Sequence, residues 1–418
     1  MQSVQEAESS ILGQVNPLDP LLDRELVVLS SSCQRILAQP VTSQSDFPHW
    51  DNSAMDGYAV QFADVAACAT DRPVRLEIIE EIPAGVSPKK TLQSGQAARI
   101  LTGSMLPAGA DTIVMQENTQ RQGDWVQILQ APTAIGQFVR SQASFYQAGQ
   151  ILLPAGQVIT AAELAILAAA QCLQVTVYRR PKVAILSTGS ELISPEQRLQ
   201  PGQIVDSNQY ALTALTLQAG AEVLPLGIVP DDPIVLKTAI AAAISQADVV
   251  ISSGGVSVGD YDYVDQILAE LGGKLHLRAI AVKPGKPLTF ATFSQARSST
   301  LYFGLPGNPV SALVTFCRFV QPALRKLMGY PSDQWLPAYW EATTLQPLLG
   351  DRKRESYLWG KLITQRGENQ FTLATGNHSS GNLINLAGCN ALAIVPMGAN
   401  PLAGDRVTVM PIAPSALA

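Results

Sequence analysis

Apolar and polar positions alternate in several distinct ways along this chain. Leu21, Leu22, Leu26 and Leu29 recur at helical spacing, and residues 30–37 continue the pattern, so residues 1–40 read as partly helical. The texture then shortens. Apolar runs at 57–60, 74–79, 97–101, 112–115 and 125–129 are separated by Pro83-Ala84-Gly85, Gln93-Ser94-Gly95 and Pro107-Ala108-Gly109, the signature of a small β domain. Thr160 is placed to cap a helix at 161–170, which is expected to pack back on residues 1–40 as one discontinuous domain.

From Pro181 onward, strands alternate with helices. Strands are predicted at 182–186, 221–229, 247–251 and 300–304, an extended run at 276–282, and helices at 208–217, 234–245, 264–271 and 310–327. Asn308 suits an N-cap and Pro309 a first helical position. Alternation of this kind makes a doubly wound, mostly parallel sheet, and ligands bind at the carboxyl ends of its strands. The loops after Leu186, Val229, Ile251, Val282 and Gly304 should therefore converge on one crevice. Beyond Gly329 the period returns to two, with short strands expected at 338–344, 357–363, 371–374, 391–395 and 406–409.

The expected architecture is α/β multidomain. A discontinuous helical and linker domain comprises residues 1–45 and 141–178. A small β domain spans 46–140, the α/β domain 179–329 and a second small β domain 330–418. At 418 residues the chain is too long for one ordinary core, which agrees with this division.

Composition narrows the functional classes. A hydrophobic fraction of 47% against 15% charged residues excludes a disordered chain. A net charge of −6 argues against nucleic acid, so any anionic ligand must be held by local cations. The five cysteines form no C-x-x-C pair and no disulfide framework, which points to reduced thiols. The longest apolar run, at 161–170, contains Glu163 and is too short to span a bilayer; no signal peptide is recognisable. A cytoplasmic protein without membrane contact is the expectation.

The candidate chemistry sits in the loops. Ser252-Ser253-Gly254-Gly255 follows a buried strand and leads through Asp260 and Asp262 into a helix, offering anion-binding amides and carboxylates together. Gly189 and Gly307 mark similar turns. Neither G-x-G-x-x-G nor the Walker pattern is present, so these are not the standard dinucleotide or P-loop sites. Lys283 and Lys286 bracket Pro284-Gly285, which either aims both ammonium groups at one anion or leaves two solvated loop lysines. Arg352-Lys353-Arg354 is a second cationic knot, of which at least one member should be merely solvated. Asp56, Glu191, Asp231, Asp260 and Asp262 are singly ordinary turn formers; gathered at one edge, some of them can hold Mg²⁺. His49, His276 and His378 are dispersed, which disfavours zinc, and no hydrolase triad grouping is visible.

Taken in order, six motifs make the chain similar to the molybdopterin molybdenumtransferase family, which includes MoeA and the C-terminal domain of gephyrin. They are Asp51-Asn52-Ser53-Ala54-Met55-Asp56-Gly57-Tyr58-Ala59, Leu101-Thr102-Gly103, Ser187-Thr188-Gly189-Ser190-Glu191-Leu192, the stretch from Ser252 to Tyr263, Lys283-Pro284-Gly285-Lys286-Pro287, and Leu305-Pro306-Gly307-Asn308-Pro309-Val310-Ser311. The resemblance implies a central sheet of the molybdopterin-binding type and insertion of molybdate into adenylylated molybdopterin, with release of AMP. It implies Asp56, Glu191, Asp231, Asp262, Lys283 and Lys286 as catalytic residues, with Asp231 and Asp262 on Mg²⁺ or another divalent cation. Thr102, Ser187, Thr188, Gly189, Ser253, Gly254, Gly255, Pro306, Gly307, Asn308, Ser311, Arg354 and Ser380 are implied as substrate-binding. It further implies a homodimer with a composite active site, to which the loop of Asp56 and Thr102 reaches from the other subunit, and the molybdopterin adenylyltransferase as a partner. An adenylyltransferase-like enzyme of the same superfamily and a non-enzymatic scaffold are the alternatives.

Overall fold

The computed structural model describes residues 1–254, 263–295 and 299–412. Its centre is a six-stranded sheet in the order Glu222–Val229, Lys182–Thr188, Val249–Ser253, Ser299–Leu305, Pro287–Ser294 and Lys274–Ala279. The first four strands are mutually parallel, and Pro287–Ser294 runs antiparallel to both of its neighbours. Lys274–Ala279 therefore points the same way as the parallel strands, and the chain after it emerges at their carboxyl edge.

Alternation sorts each strand between two cores. Val183, Ile185, Val249, Ile251, Leu301 and Phe303 face one way, against the helix Asn208–Gln218 and the helical run 309–327. Ala184, Leu186, Val250 and Tyr302 face the other way, against Pro233–Gln246 and Tyr263–Glu270. Burial on both faces is why these strands read as continuous apolar runs. The run 309–327 contains a π turn, Phe316–Val320, which carries the buried Arg318.

The strand Pro287–Ser294 escaped the sequence reading. Its residues 288–293 are mostly buried apolar side chains between a proline and a serine, too short and uniform to show a period. The helical reading of residues 21–37 is also corrected. Arg24–Val28 is a strand paired over its whole length with Gln174–Tyr178, and the Asp19 carboxylate takes the Leu21 and Leu22 N–H groups to turn the chain just before it. Leu21, Leu22 and Leu26 are all more than 60% exposed, so their spacing recorded no buried helical face. The helix that does form near the start, Val4–Gln14, is closed by a capping box between Ser3 and Glu6 and buries Val4, Ala7 and Ile11 in the core of the central sheet. The short strand Ile151–Leu153 pairs with Val41–Thr42, so residues 24–42 and 151–178 are drawn together mainly by strands, with Ala161–Ala169 as their helix.

Between these segments lies a second six-stranded sheet, in the order Thr112–Met115, Gly57–Val60, Gln96–Ile100, Val74–Ile82, Trp125–Ile128 and Thr119–Gln122. At the C-terminal end, Glu355–Gln365, Glu368–Leu373, Trp340–Thr344, Arg406–Pro411 and Ala391–Val395 follow one another, and Ala391–Val395 also pairs with Glu355–Gln365. That pairing closes a small barrel. The short strand Val282–Lys283 joins it by parallel pairing to Glu355 and Ser356, which fastens the lysine loop of the α/β unit to the barrel wall.

Candidate functional site

Three loops at the carboxyl edge of the central sheet meet main chain to main chain. Gly254 sits at φ +92°, and a Cβ there would lie 2.3 Å from the Thr188 carbonyl oxygen, so only glycine permits this approach. Gly307 lies against the Gly254 Cα, and the Gly254 N–H donates to the Leu305 carbonyl at 3.2 Å. Asn208 ties the loops together: its Nδ2 donates to Ser253 Oγ at 2.6 Å and to the Gly307 carbonyl at 2.8 Å. The Ser253 hydroxyl reaches the Pro306 carbonyl at 3.5 Å. Ser187 and Thr188 are buried beside them, and their hydroxyls find no hydrogen-bond partner among the described residues. A buried hydroxyl without a partner is costly, and a phosphate oxygen would satisfy it.

At the same edge Glu191 folds over Gly189, where an added Cβ would lie 2.8 Å from its Oε2. Asp231 exchanges hydrogen bonds with Ser190: its carboxylate accepts the Ser190 N–H at 3.4 Å, and its own N–H donates to Ser190 Oγ at 3.3 Å. Both acids are exposed. Among the described residues no group of three or more His, Cys, Asp or Glu side chains could hold a metal. Gly255 and Asp262 lie outside the described residues.

The cationic residues gather next to these loops. Lys283, Lys286, Asn308, Ser311, Arg354 and Ser380 line one cavity of about 660 Å³ between the α/β unit and the C-terminal barrel. The Val310 N–H donates to the Ser380 carbonyl at 3.1 Å, stitching the two walls together. Asn308 occupies the N-cap position of Pro309–Thr315 but makes no side-chain capping bond, and it contributes to the cavity lining instead. Asn308 follows Gly307 in the chain, so one end of the cavity lining adjoins the junction at Gly254. Of the basic knot, Arg352 and Lys353 are exposed, whereas Arg354 is partly buried and faces the cavity. Trp359, Leu349, Leu358, Leu373 and Leu386 make the remainder of the lining largely apolar.

Asp351, paired with two of the cations that line the cavity, is a residue that the sequence reading missed. Its Oδ2 lies 3.2 Å from Lys283 Nζ and 3.1 Å from an Arg354 Nη, while Oδ1 accepts the Lys353 N–H at 2.9 Å. The Lys353 amide first, then Arg354 and Lys283, hold its carboxyl well below the usual range. Asn208 was read only as part of a helix start. A signal existed in each case, an acid three residues before Arg354 and an amide at a strand-to-helix junction, but the partners are far away in sequence.

Asp56 and Thr102 stand together in the N-terminal β unit. One Asp56 oxygen accepts both the N–H and the hydroxyl of Thr102, each at 2.7 Å, and these bonds lower the carboxyl pKa. Neither residue lines the cavity of its own chain.

Comparison with known proteins agrees with the order of these features. Residues 2–170 match the MoeA N-terminal region (domain I and II), 184–326 a probable molybdopterin binding domain and 341–412 the MoeA C-terminal region (domain IV). A molybdopterin molybdenumtransferase from Nostoc sp. is 56% identical over 95% of this chain and 91% of its own length. One from Haemophilus influenzae is 37% identical over 80% of this chain and 79% of its own. The crystal structure of a molybdopterin biosynthesis MoeA protein from Pyrococcus horikoshii superimposes with a TM-score of 0.83 at 27% identity, covering 99% of this chain and 100% of that one. The chain is a member of the molybdopterin molybdenumtransferase family, a family of transferases of the MoeA type.

Proposed function

We propose that this protein inserts molybdate into adenylylated molybdopterin, releasing AMP and forming the molybdenum cofactor. The observation that carries the reading is the cavity in which Lys283, Lys286, Arg354 and Ser380 converge, next in the chain, through Asn308, to the glycine junction at the sheet edge. Molybdate is a tetrahedral dianion. Two ammonium groups, a guanidinium and a hydroxyl are suitable hosts for it, and the apolar lining strengthens their pull by limiting water. Ser187, Thr188, Gly189, Ser253, Gly254, Pro306, Gly307, Asn308 and Ser311 then serve the adenylylated substrate, whose phosphates suit the unpartnered Ser187 and Thr188 hydroxyls. An adenylyltransferase built on the sheet alone would lack Arg354 and Ser380, which belong to the C-terminal unit.

Mg²⁺ fits the edge formed by Asp231 and Glu191. It commonly takes one or two carboxylates and completes its shell with substrate phosphate and water, so a larger acidic cluster is not required. Held there by Asp231, with Asp262 as the second ligand that the family resemblance implies, it would offset charge on the phosphoanhydride during cleavage. Glu191 and Asp231 keep their carboxylates at the rim, while Lys283 and Lys286 hold the oxyanion.

We also infer a homodimer with a composite site. Asp56 and Thr102 are preorganised yet absent from their own cavity, and Leu21, Leu22 and Leu26 leave apolar surface exposed on the first strand segment. No described helix is long and apolar enough to cross a membrane, which accords with a cytoplasmic enzyme taking substrate from a molybdopterin adenylyltransferase. Crystals soaked in molybdate, with the metal located by anomalous scattering, test the site. The metal is expected within reach of Lys283, Lys286, Arg354 and Ser380; ordered metal only at other positions refutes the assignment.

A further inference from the structure

A fixed anion stands beside the oxyanion cavity, paired with two of the cations that line it. Asp351 reaches Lys283 and Arg354 with the same oxygen, and its side chain is 17% exposed. It is not a loose surface acid. The Asp351 N–H donates to Ser356 Oγ at 2.9 Å, its carbonyl accepts the Gly398 N–H at 2.9 Å, and its second carboxylate oxygen is held by the Lys353 N–H. The main chains of the two cations are fixed as well. Val282 and Lys283 pair with Glu355 and Ser356, so Lys283 and Arg354 are brought together around Asp351. Lys286, by contrast, has no ion-pair partner among the described residues.

We propose that Asp351 is a counter-charge that limits how tightly the oxyanion site holds its dianion. Three cations alone would overmatch a dianion and hold it tightly. Lys283, Lys286 and Arg354 together with Asp351 leave a net charge of two, the complement of a tetrahedral dianion. The carboxylate also pairs with Lys283 and Arg354 before the oxyanion arrives, so binding exchanges one partner for another and release remains possible. Asp351 touches neither substrate nor reacting atoms; it acts through the two cations it shares.

This inference rests on the oxyanion reading of the cavity, and one titration separates the two. The full-length protein is titrated calorimetrically with molybdate alone and with perrhenate, a tetrahedral monoanion of similar size, for the wild type, Asp351→Asn and Lys286→Met. Even with the screening of water, removing a unit charge within side-chain reach of a dianion should tighten molybdate binding by about tenfold. Coulomb energy is proportional to ligand charge, so perrhenate should gain only about the square root of that factor, roughly threefold. A merely structural role would change both anions alike. Asp351→Asn that binds molybdate no more tightly than wild type, or tightens both anions equally, overturns the proposal while leaving the site intact. Molybdate binding that is absent in the wild type, or indifferent to Lys286→Met, overturns the oxyanion reading itself.

Discussion

The buried ion pair behind the cavity allows a worked prediction. Arg318, on the π turn of the long helix, lies with its side chain 7% exposed, and its Nη1 is 2.5 Å from Glu8 Oε2 on the first helix. Its Nε donates to the Tyr357 hydroxyl at 3.1 Å, and that hydroxyl donates to Glu355 at 2.6 Å. Tyr357 lines the cavity, and burial keeps its phenol far above the ordinary range, so it remains a donor. Glu8→Leu strands the guanidinium in a dry setting, and breaking such a pair from one side costs about 3–5 kcal/mol. Arg318→Met should cost less, because Glu8 is 19% exposed and can rehydrate. The double variant should recover part of the Glu8→Leu loss, since no buried charge remains. For a unit of this size each kcal/mol shifts melting by roughly 2–4 °C, so Glu8→Leu should lower the transition of the α/β unit by roughly 6–20 °C. Differential scanning calorimetry of the full chain reads the shift, and hydrogen exchange along Val4–Gln14 and Glu355–Gln365 locates it. A Glu8→Leu protein melting with the wild type, or a double variant as unstable as the two losses summed, refutes the reasoning.

Two further outcomes follow from single groups. Asp56 has a lowered pKa because the Thr102 amide and hydroxyl favour its ionised form, so its contribution is complete above the unfolded-state value of about 3.9 and is lost as pH falls through the lower folded value. Hydrogen exchange should therefore show the Thr102 amide protected at neutral and mildly acid pH in the wild type, and unprotected at neutral pH in Asp56→Ala; equal protection in the two would contradict this. Cys33 is exposed, whereas burial pushes the Cys317 thiol up to about 12, so a thiolate-directed alkylating agent at mildly alkaline pH should label Cys33 and reach Cys317 only after unfolding. Mass spectrometry of the labelled peptides decides, and native labelling of Cys317 is the contrary result.

Much of this architecture was legible because burial leaves a trace in local pattern. Residues 406–409 in the C-terminal barrel alternate, and residues 249–251 in the parallel sheet are a continuous apolar run, so such strands could be read one residue at a time. Helix starts were legible where the cap is local, as at Asp232, whose carboxylate takes the Ile234 and Val235 N–H groups. Leu21, Leu22 and Leu26 misled because their apolar surface stays exposed in a single chain, so their spacing was never selected by a helical core. The cavity lysines and Arg354 were found through motif order, whereas Asn208 and Asp351 were not. Their roles arise only when loops 45 to 99 residues apart, or a lysine and a barrel turn, are folded together.

The central claim is that one crevice joins an oxyanion to an adenylylated pterin. The purified protein, incubated with adenylylated molybdopterin and Mg²⁺ with and without molybdate, tests it by chromatographic measurement of AMP and of the cofactor formed. The account predicts AMP release that depends on molybdate, appears together with molybdenum cofactor, and is lost in Lys283→Met and Lys286→Met. AMP released at the same rate without molybdate, or cofactor formed undiminished by both lysine variants, would contradict it.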